Sequence, residues 1–185
     1  NADLTANAER EAQIAASPDD VKLQRRLAWF ALQRAADFFA ETTGITPPQI
    51  RIAHNGRPQT TGAYVSVAHC AVAVAAAVSQ AFVGVDCEPT NRILPQNIAD
   101  RIALPQERRA LPSHPTNDAL LRLWTAKEAA FKALPTSAQP PVMWQVDTTT
   151  FCINSFEAVN AVISVATPSQ AGIIYRRLTP DDIKG

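Results

Sequence analysis

Cysteine is scarce in this sequence, and the pattern of its few cysteines excludes several classes of protein. Cys70, Cys87 and Cys152 are the three cysteines among 185 residues. An odd number without paired spacing argues against a disulfide-stapled scaffold and favours a reducing compartment. Because no CxxC or HxxxH motif occurs, a zinc site is also not expected.

The sequence also lacks long apolar runs and a surplus of charge of either sign. The longest apolar run covers residues 71–78, which is far too short to span a bilayer. No basic segment followed by an apolar stretch opens the chain, so we expect a cytoplasmic protein. The 17 Lys and Arg balance the 17 Asp and Glu, and the overall charge therefore favours neither nucleic acid nor an anionic membrane as a partner.

A long basic helix is predicted near the start of the sequence. The segment SPDD at 17–20 predicts its first turn, with Ser17 as the cap and Asp20 closing a capping box, and Gly44 predicts its end. Its run of basic side chains, with no acid between residues 21 and 36, is either a solvated face or a site for anions. The basic residues are Lys22, Arg25, Arg26 and Arg34, and the predicted core residues are Leu23, Leu27, Phe30 and Phe38.

Strand patterns alternate with turn signals through the rest of the chain. A short strand from Ile50 leads into an Asn55-Gly56 turn, and a second long helix, capped by Thr116 or Asn117, runs to about Leu134. The other predicted strands are 64–69, 71–78, 81–88, 142–147, 150–156, 160–166 and 172–178, and the other predicted helices are 96–102 and 107–111.

Two carboxylates end the apolar run at residues 81–88. Asp86 and Glu88 are separated by one residue, so on a strand their side chains share a face while Cys87 lies on the other. Neighbouring carboxylates repel each other unless a positive charge lies between them. Mg²⁺ fits that position because it takes carboxylate, phosphate and water oxygens. The alternative is a strand end that points into solvent.

A second cluster lies on the second long helix. Glu128 and Lys132 are four residues apart and share a helix face; by themselves they fit a surface ion pair, worth about 0.3–0.5 kcal/mol. Combined with the two strand carboxylates, they supply a third acid and a cation, which phosphoryl-type transfer uses for positioning and charge stabilisation. His69, at the end of a predicted strand, is either an ordinary core or surface residue or a donor to a phosphate oxygen.

These motifs together resemble the signature of the 4'-phosphopantetheinyl transferase superfamily. Its G-[VI]-D-x-E strand is matched by GVDCE at 84–88, and its W-[ST]-x-K-E-[AS]-x-x-K helix by WTAKEAAFK at 124–132. Upstream, GRP at 56–58 is similar to a turn of the longer, Sfp-like branch, and SVAH at 66–69 is similar to a strand that ends in Ser-His. The resemblance rests on motifs over residues 4–134 and on strand pattern alone beyond them.

The resemblance implies a specific activity. Such an enzyme, a holo-[acyl-carrier-protein] synthase or 4'-phosphopantetheinyl transferase, moves the 4'-phosphopantetheine arm of coenzyme A (CoA) onto a serine of an acyl or peptidyl carrier protein. By the resemblance, Asp86, Glu88 and Glu128 hold Mg²⁺, with Mn²⁺ as an alternative ion, and Glu128 takes the serine proton. The implied catalytic residues are Glu128, Lys132 and His69, and the implied CoA-binding residues are Arg26, Arg34, Arg57, His69 and Lys132.

We expect an α+β fold in which two similar halves are related by a pseudo-twofold axis, each a three- to four-stranded sheet with a long helix packed on it. Residues 1–83 form the half with the basic helix, on the nucleotide side of CoA. Residues 84–185 form the half with the acids and the Lys-Glu helix. The halves make one structural unit with the site in the cleft between them, and because one chain completes this cleft we expect a monomer.

Two other functions stay open. A non-catalytic homologue would bind CoA or a carrier protein without turnover, and a Mg²⁺-dependent nucleotide hydrolase would use the same carboxylates with water in place of serine. Cleavage of CoA in the absence of a carrier would indicate the hydrolase. For the transferase we expect a small acidic helical carrier protein to dock near the cleft on the segment 89–115.

Overall fold

Helices and antiparallel strands follow one another in the computed structural model, which describes residues 8–53, 56–170, 172–179 and 182. This confirms the predicted α+β class. Within these ranges, no helix combines the length and apolar character that crossing a membrane requires. The helices are α1 (Ala8–Ala15), α2 (Asp19–Thr43), α3 (Ile98–Ile102), α4 (Pro105–Ala110) and α5 (Asn117–Ala133). The strands are β1 (Ile50–Ile52), β2 (Pro58–Thr60), β3 (Tyr64–His69), β4 (Val74–Ser79), β5 (Gly84–Pro89), β6 (Cys152–Ala158) and β7 (Ala161–Thr167).

The basic helix α2 ends as predicted but does not begin as predicted. Gly44 adopts φ 71° and its N–H bonds to the carbonyl of Ala40, which is the left-handed ending that glycine favours. Ser17 is not the cap: it is buried, its Oγ donates to the Gln13 carbonyl at 2.9 Å, and it accepts from Arg25 at 2.7 Å. The hydroxyl is therefore used to join α1 to α2. The side chain of Asp20, predicted to close a capping box, lies outside the described residues.

The buried face of α2 differs from the prediction at its first turns. Phe30 is buried as expected, whereas Leu23 is 61% exposed, so its placement in the core was wrong. Leu23 precedes the fully buried Leu32 by nine residues, or two and a half helical turns, and so lies on the opposite face. The unpredicted helix α1 explains part of the burial, because its Ile14 packs against Trp29 of α2 and Ile52 of β1. Leu27 and Phe38 are half-buried.

Three sheets carry the described strands. β1 pairs with β2, β3 with β4, and β5, β7 and β6 form a three-stranded sheet in that order, all antiparallel. α2 packs on β3 and β4, α5 packs on β5 and β7, and β3 contacts β5. Within the described residues, the first half therefore holds two two-stranded pieces where one larger sheet was predicted. The pseudo-twofold relation between the halves stays a prediction, and so do their boundaries. The predicted Asn55-Gly56 turn lies partly outside the described residues.

Two predicted strands near the end of the chain are wrong. Residues 143–145 form a turn of 3₁₀ helix, and the carbonyls of Trp144 and Val146 accept bonds from the Lys127 ammonium instead of pairing with a strand. Residues 172–179 have no regular structure. Ile174 and Tyr175 are both exposed there, so the segment has no buried face to fix a strand register.

Candidate active site

Gly84 allows the two motif-bearing elements, β5 and α5, to approach each other closely. A Cβ at this position would lie 1.9 Å from the carbonyl oxygen of Ala129 and 2.6 Å from the amide nitrogen of Ala133. Contacts of this kind below 3.0 Å are essentially never tolerated, and here the opposing atoms are backbone. Any larger residue would push the helix off the strand, so glycine sets the distance between the acids of β5 and the side chains of α5.

Asp86 of β5 and Lys132 of α5, one residue from each motif, form an ion pair in the structure. The Lys132 ammonium donates to Asp86 Oδ1 at 2.7 Å and to the Val85 carbonyl at 3.2 Å. Asp86 is 7% exposed, and its second oxygen, Oδ2, is buried and accepts no hydrogen bond from the part of the chain that is described. Burial raises the pKa of Asp86, and the neighbouring Lys132 charge opposes that rise.

Glu88 forms an ion pair with Arg92, a residue that the sequence motifs do not include. The Arg92 guanidinium donates to Glu88 Oε1 and also lies 4.8 Å from the centre of the Trp124 ring. Burial raises the pKa of Glu88, and the Arg92 charge opposes the rise. The tryptophan of the motif on α5 therefore serves as an aromatic surface for the arginine that neutralises the second carboxylate.

Glu128 completes the acidic group from the side of α5. Burial raises the pKa of its half-buried carboxyl, and the charge of Asp86 raises it further, while Lys132 opposes the rise. Glu88 and Arg92 act on Glu128 more weakly, with opposite signs. The three predicted carboxylates thus influence one another electrostatically, and two of them have a cation as partner: Asp86 has Lys132 and Glu88 has Arg92.

The carboxylate oxygens of Asp86, Glu88 and Glu128 are the type of ligand that a hard divalent cation prefers. Among residues 8–53, 56–170, 172–179 and 182, no group of three or more His, Cys, Asp or Glu side chains has the arrangement of a ready-made metal site. Mg²⁺ does not require one, since it is usually bound through one or two carboxylates with phosphate and water oxygens. The unpartnered Oδ2 of Asp86, beside Glu88 and Glu128, offers such a ligand.

His69 ends β3 and brings the first half of the chain to the same site. The Oγ of Ser66 on β3 accepts the N–H of Val85 on β5 at 3.0 Å, which ties the two strands together. Although His69 is exposed overall, burial of its ring lowers its pKa, and the charge of Lys132 lowers it further. The charge of Lys132 thus acts on His69, which links His69 electrostatically to the site on β5 and α5.

Arg25 and Arg10 complete a positive environment around His69. Both of their charges lower the pKa of His69, after that of Lys132. Arg25 belongs to the basic helix α2, whereas Arg10 comes from α1, which no sequence signal predicted. Together with Lys132, they place positive charge around His69, which suits the binding of an anion there.

The structure places the other predicted CoA-binding arginines differently. Arg26 is held by Glu11 of α1 through two bonds of 2.5 and 2.8 Å, and Arg34 pairs with Asp37 at 3.3 Å. Arg57 lies between β1 and β2, where its carbonyl accepts the N–H of Ala53. None of these three is among the charges that act most strongly on His69. Their contacts with CoA stay predictions.

A buried ion pair supports the helix that carries Glu128. Lys127 is fully buried and its ammonium lies 2.6 Å from Glu107 Oε2 of α4, itself only 4% exposed. Lys127 also donates to the carbonyl of Val146 at 2.6 Å, and Glu107 accepts the N–H of Leu104 at 2.7 Å and that of Thr148 at 2.8 Å. The pair anchors α4 and the turns at 143–150 to α5. The sequence motif that contains Lys127 and Glu128 predicted that Lys127 lies on the helix. It could not predict the partner of Lys127, because Glu107 lies twenty residues upstream and no local pattern links the two.

Comparison with known families identifies the segment that carries this site. Residues 82–166 match the family model of the 4'-phosphopantetheinyl transferase superfamily. Over this segment, the match confirms the resemblance predicted from the sequence. The match runs from just before β5 to β7 and contains all three carboxylates and Lys132, whereas His69 and the arginines of α2 lie outside it. No match was found among curated proteins.

Proposed function

We propose that this protein transfers the 4'-phosphopantetheine arm of CoA to a serine of an acyl or peptidyl carrier protein in a Mg²⁺-dependent reaction. One observation carries the proposal: within the superfamily domain, the Lys132 ammonium lies 2.7 Å from Asp86, beside a half-buried Glu128 whose carboxyl pKa is raised. The transferase activity follows from the superfamily in general, and the carrier, the metal and the Sfp-like branch are the more specific parts of the proposal.

The chemistry requires a base, because a serine hydroxyl is a poor nucleophile until its proton is removed. Glu128 takes this proton while the serine oxygen attacks the phosphorus that bears the pantetheine arm. The new phosphorus–oxygen bond replaces the bond to the nucleotide phosphate, and 3',5'-phosphorylated adenosine leaves. The half-buried carboxylate of Glu128 lies one helical turn from Lys132, on the same face of α5, which suits it to accept this proton.

Asp86, Glu88 and Glu128 are the residues that would hold Mg²⁺, with Mn²⁺ as the alternative. When bound, the cation neutralises charge on the pyrophosphate. Lys132 provides a second positive charge for the leaving phosphate, because its ammonium already lies at the carboxylate group. Asp86 keeps the Lys132 ammonium in place by the same contact.

CoA is proposed to lie in the cleft between the two halves of a pseudo-twofold fold, with its phosphates near His69 and Lys132. The charges that meet at His69 support Arg25 as a phosphate-binding residue of α2. Arg26, Arg34 and Arg57 are retained as proposed contacts with the nucleotide. Arg26 would act from its ion pair with Glu11.

The carrier is proposed to dock on the segment 89–115. Ile93 is 79% exposed there, and Arg101 of α3 and Arg109 of α4 are exposed as well. An exposed apolar side chain flanked by positive charges suits a small acidic helical protein. We propose that the enzyme acts as a monomer in the cytoplasm.

The proposal is tested by incubating the protein with CoA, Mg²⁺ and a panel of purified apo carrier proteins, followed by intact mass measurement. We expect at least one carrier to gain one phosphopantetheine arm, and EDTA to prevent the gain. Release of the nucleotide from CoA without a carrier would instead support the hydrolase. CoA binding by calorimetry without any carrier modification would support a non-catalytic homologue.

A further inference from the structure

Arg92 occupies an unusual position in the candidate site. Its guanidinium is paired with Glu88 on one side and lies 4.8 Å from the Trp124 ring centre on the other. Its backbone is fixed as well, because the side-chain amide of Asn117, the first residue of α5, donates to the Arg92 carbonyl at 2.9 Å. The same Asn117 accepts the N–H of Leu94 at 3.0 Å. The loop that carries Arg92 is thus attached to the helix that carries Glu128.

The charge of Arg92 reaches the whole acidic group. It opposes the rise in the pKa of Glu88 most directly, and the rises in those of Asp86 and Glu128 to a smaller extent. The ion pair is partly shielded from water, since the Glu88 side chain is 19% exposed and that of Arg92 is 36% exposed. A divalent cation that binds a Glu88 oxygen must therefore compete with the Arg92 guanidinium for that oxygen. The two positive charges also repel each other, which weakens binding of the cation.

We propose that Arg92 is a positioning residue that competes with the divalent cation for Glu88 and thereby sets the affinity of the site for that cation. The inference rests on the proposed function, in which Glu88 is a ligand. Trp124 gives Arg92 a second contact, so the guanidinium can release Glu88 and stay on the aromatic ring. Arg92 thus keeps the carboxylate neutralised and oriented until cation and CoA arrive together.

The test measures cation binding directly, with Mn²⁺ as the probe and the signal of free Mn²⁺ in electron paramagnetic resonance as the readout. Arg92→Met removes the charge and keeps an apolar stem over Trp124, and Arg92→Lys keeps the charge. Arg51→Met is the matched control, since Arg51 is an exposed arginine on β1. We expect Arg92→Met to bind Mn²⁺ about fivefold more tightly or better, the lower end of a typical coupling between two sites. Arg92→Lys and Arg51→Met should stay near the wild type.

Unchanged or weaker Mn²⁺ binding by folded Arg92→Met would overturn the inference, because Arg92 would then only support Glu88. Wild-type protein that binds no Mn²⁺ would overturn it as well. Circular dichroism establishes that each variant is folded, and Arg92→Gln replaces Arg92→Met if the latter is not. The proposed function is judged separately by carrier modification in wild-type protein, so its failure is distinguishable from a failure of the role given to Arg92.

Discussion

Replacing Gly84 by alanine should damage both the stability and the activity of the protein. The added Cβ would lie 1.9 Å from the Ala129 carbonyl oxygen, whereas ordinary contact begins at 3.4 Å. α5 and β5 must therefore separate by about 1.5 Å, the difference between these distances. Inserting an extra methyl into a packed contact of this kind costs about 1–3 kcal/mol of unfolding free energy.

The same movement would disturb the site. Lys132 and Asp86 are 2.7 Å apart across this contact, so a separation of that size removes their hydrogen bond. A misplacement of about 1 Å can reduce a catalytic rate about a hundredfold. We expect Gly84→Ala to lower the rate of carrier modification by about that factor, and its melting temperature by about 2–12 °C.

The assays are urea denaturation and the initial rate of carrier mass gain, with Gly172→Ala as the control. A Cβ added at Gly172 would meet no atom within 4 Å, so this substitution should change neither quantity. Folded Gly84→Ala that keeps full activity and loses less than about 0.5 kcal/mol of unfolding free energy would contradict this reasoning. Such a loss is no larger than that of an ordinary surface substitution, so glycine would not be required for the close approach of β5 and α5.

Three further predictions concern the charged groups. Lys127→Met should cost about 3–5 kcal/mol of unfolding free energy in urea, because it leaves Glu107 buried and unpaired. The double variant Lys127→Met/Glu107→Leu should recover part of that loss, and a double variant as unstable as the single one would contradict the account. Because burial raises the folded-state pKa of Asp86, its stabilising contribution is present below the unfolded value of 3.8 and is lost as the pH rises through the folded value. The unfolding free energy of the wild type relative to Asp86→Asn should therefore fall as the pH rises above about 4 without divalent cations, and a pH-independent difference in thermal melts would contradict this. His69→Ala should weaken CoA binding, measured by calorimetry, by about fivefold or more, because a hydrogen bond to a CoA phosphate is lost. If His69→Ala and the wild type bind CoA with equal affinity, His69 is not part of the CoA-binding site.

Local signals in the sequence predicted most of the elements around the site. Thr116 caps α5 through a hydrogen bond from the Ala119 N–H, and β3 has the predicted limits, Tyr64–His69. Elements whose limits depend on distant partners were missed or misplaced. α1 is short and is held by contacts such as Glu11 with Arg26, fifteen residues away. Such a pairing leaves no periodic pattern in the sequence.

The candidate site was predictable to a similar extent. The local patterns placed Asp86 on a strand and Lys132 on a helix, and the structure brings the two side chains into contact. The partners that neutralise or support them were not predictable. Arg92 lies four residues after Glu88, in a loop that Asn117 of α5 holds in place, and Lys127 meets Glu107 because folding brings α4 and α5 together at this ion pair. These contacts depend on tertiary structure, which single-sequence patterns do not encode.

The most direct test of the central claim is the intact mass of an apo carrier protein after incubation with CoA, Mg²⁺ and either wild-type protein, Glu128→Gln or Glu41→Gln. Glu41 is an exposed acid on α2 and serves as the matched control. The account predicts a gain of one phosphopantetheine arm with the wild type and Glu41→Gln, and none with folded Glu128→Gln. Equal modification by all three proteins would contradict the assignment of the base, and no modification by the wild type across the carrier panel would contradict the transferase itself.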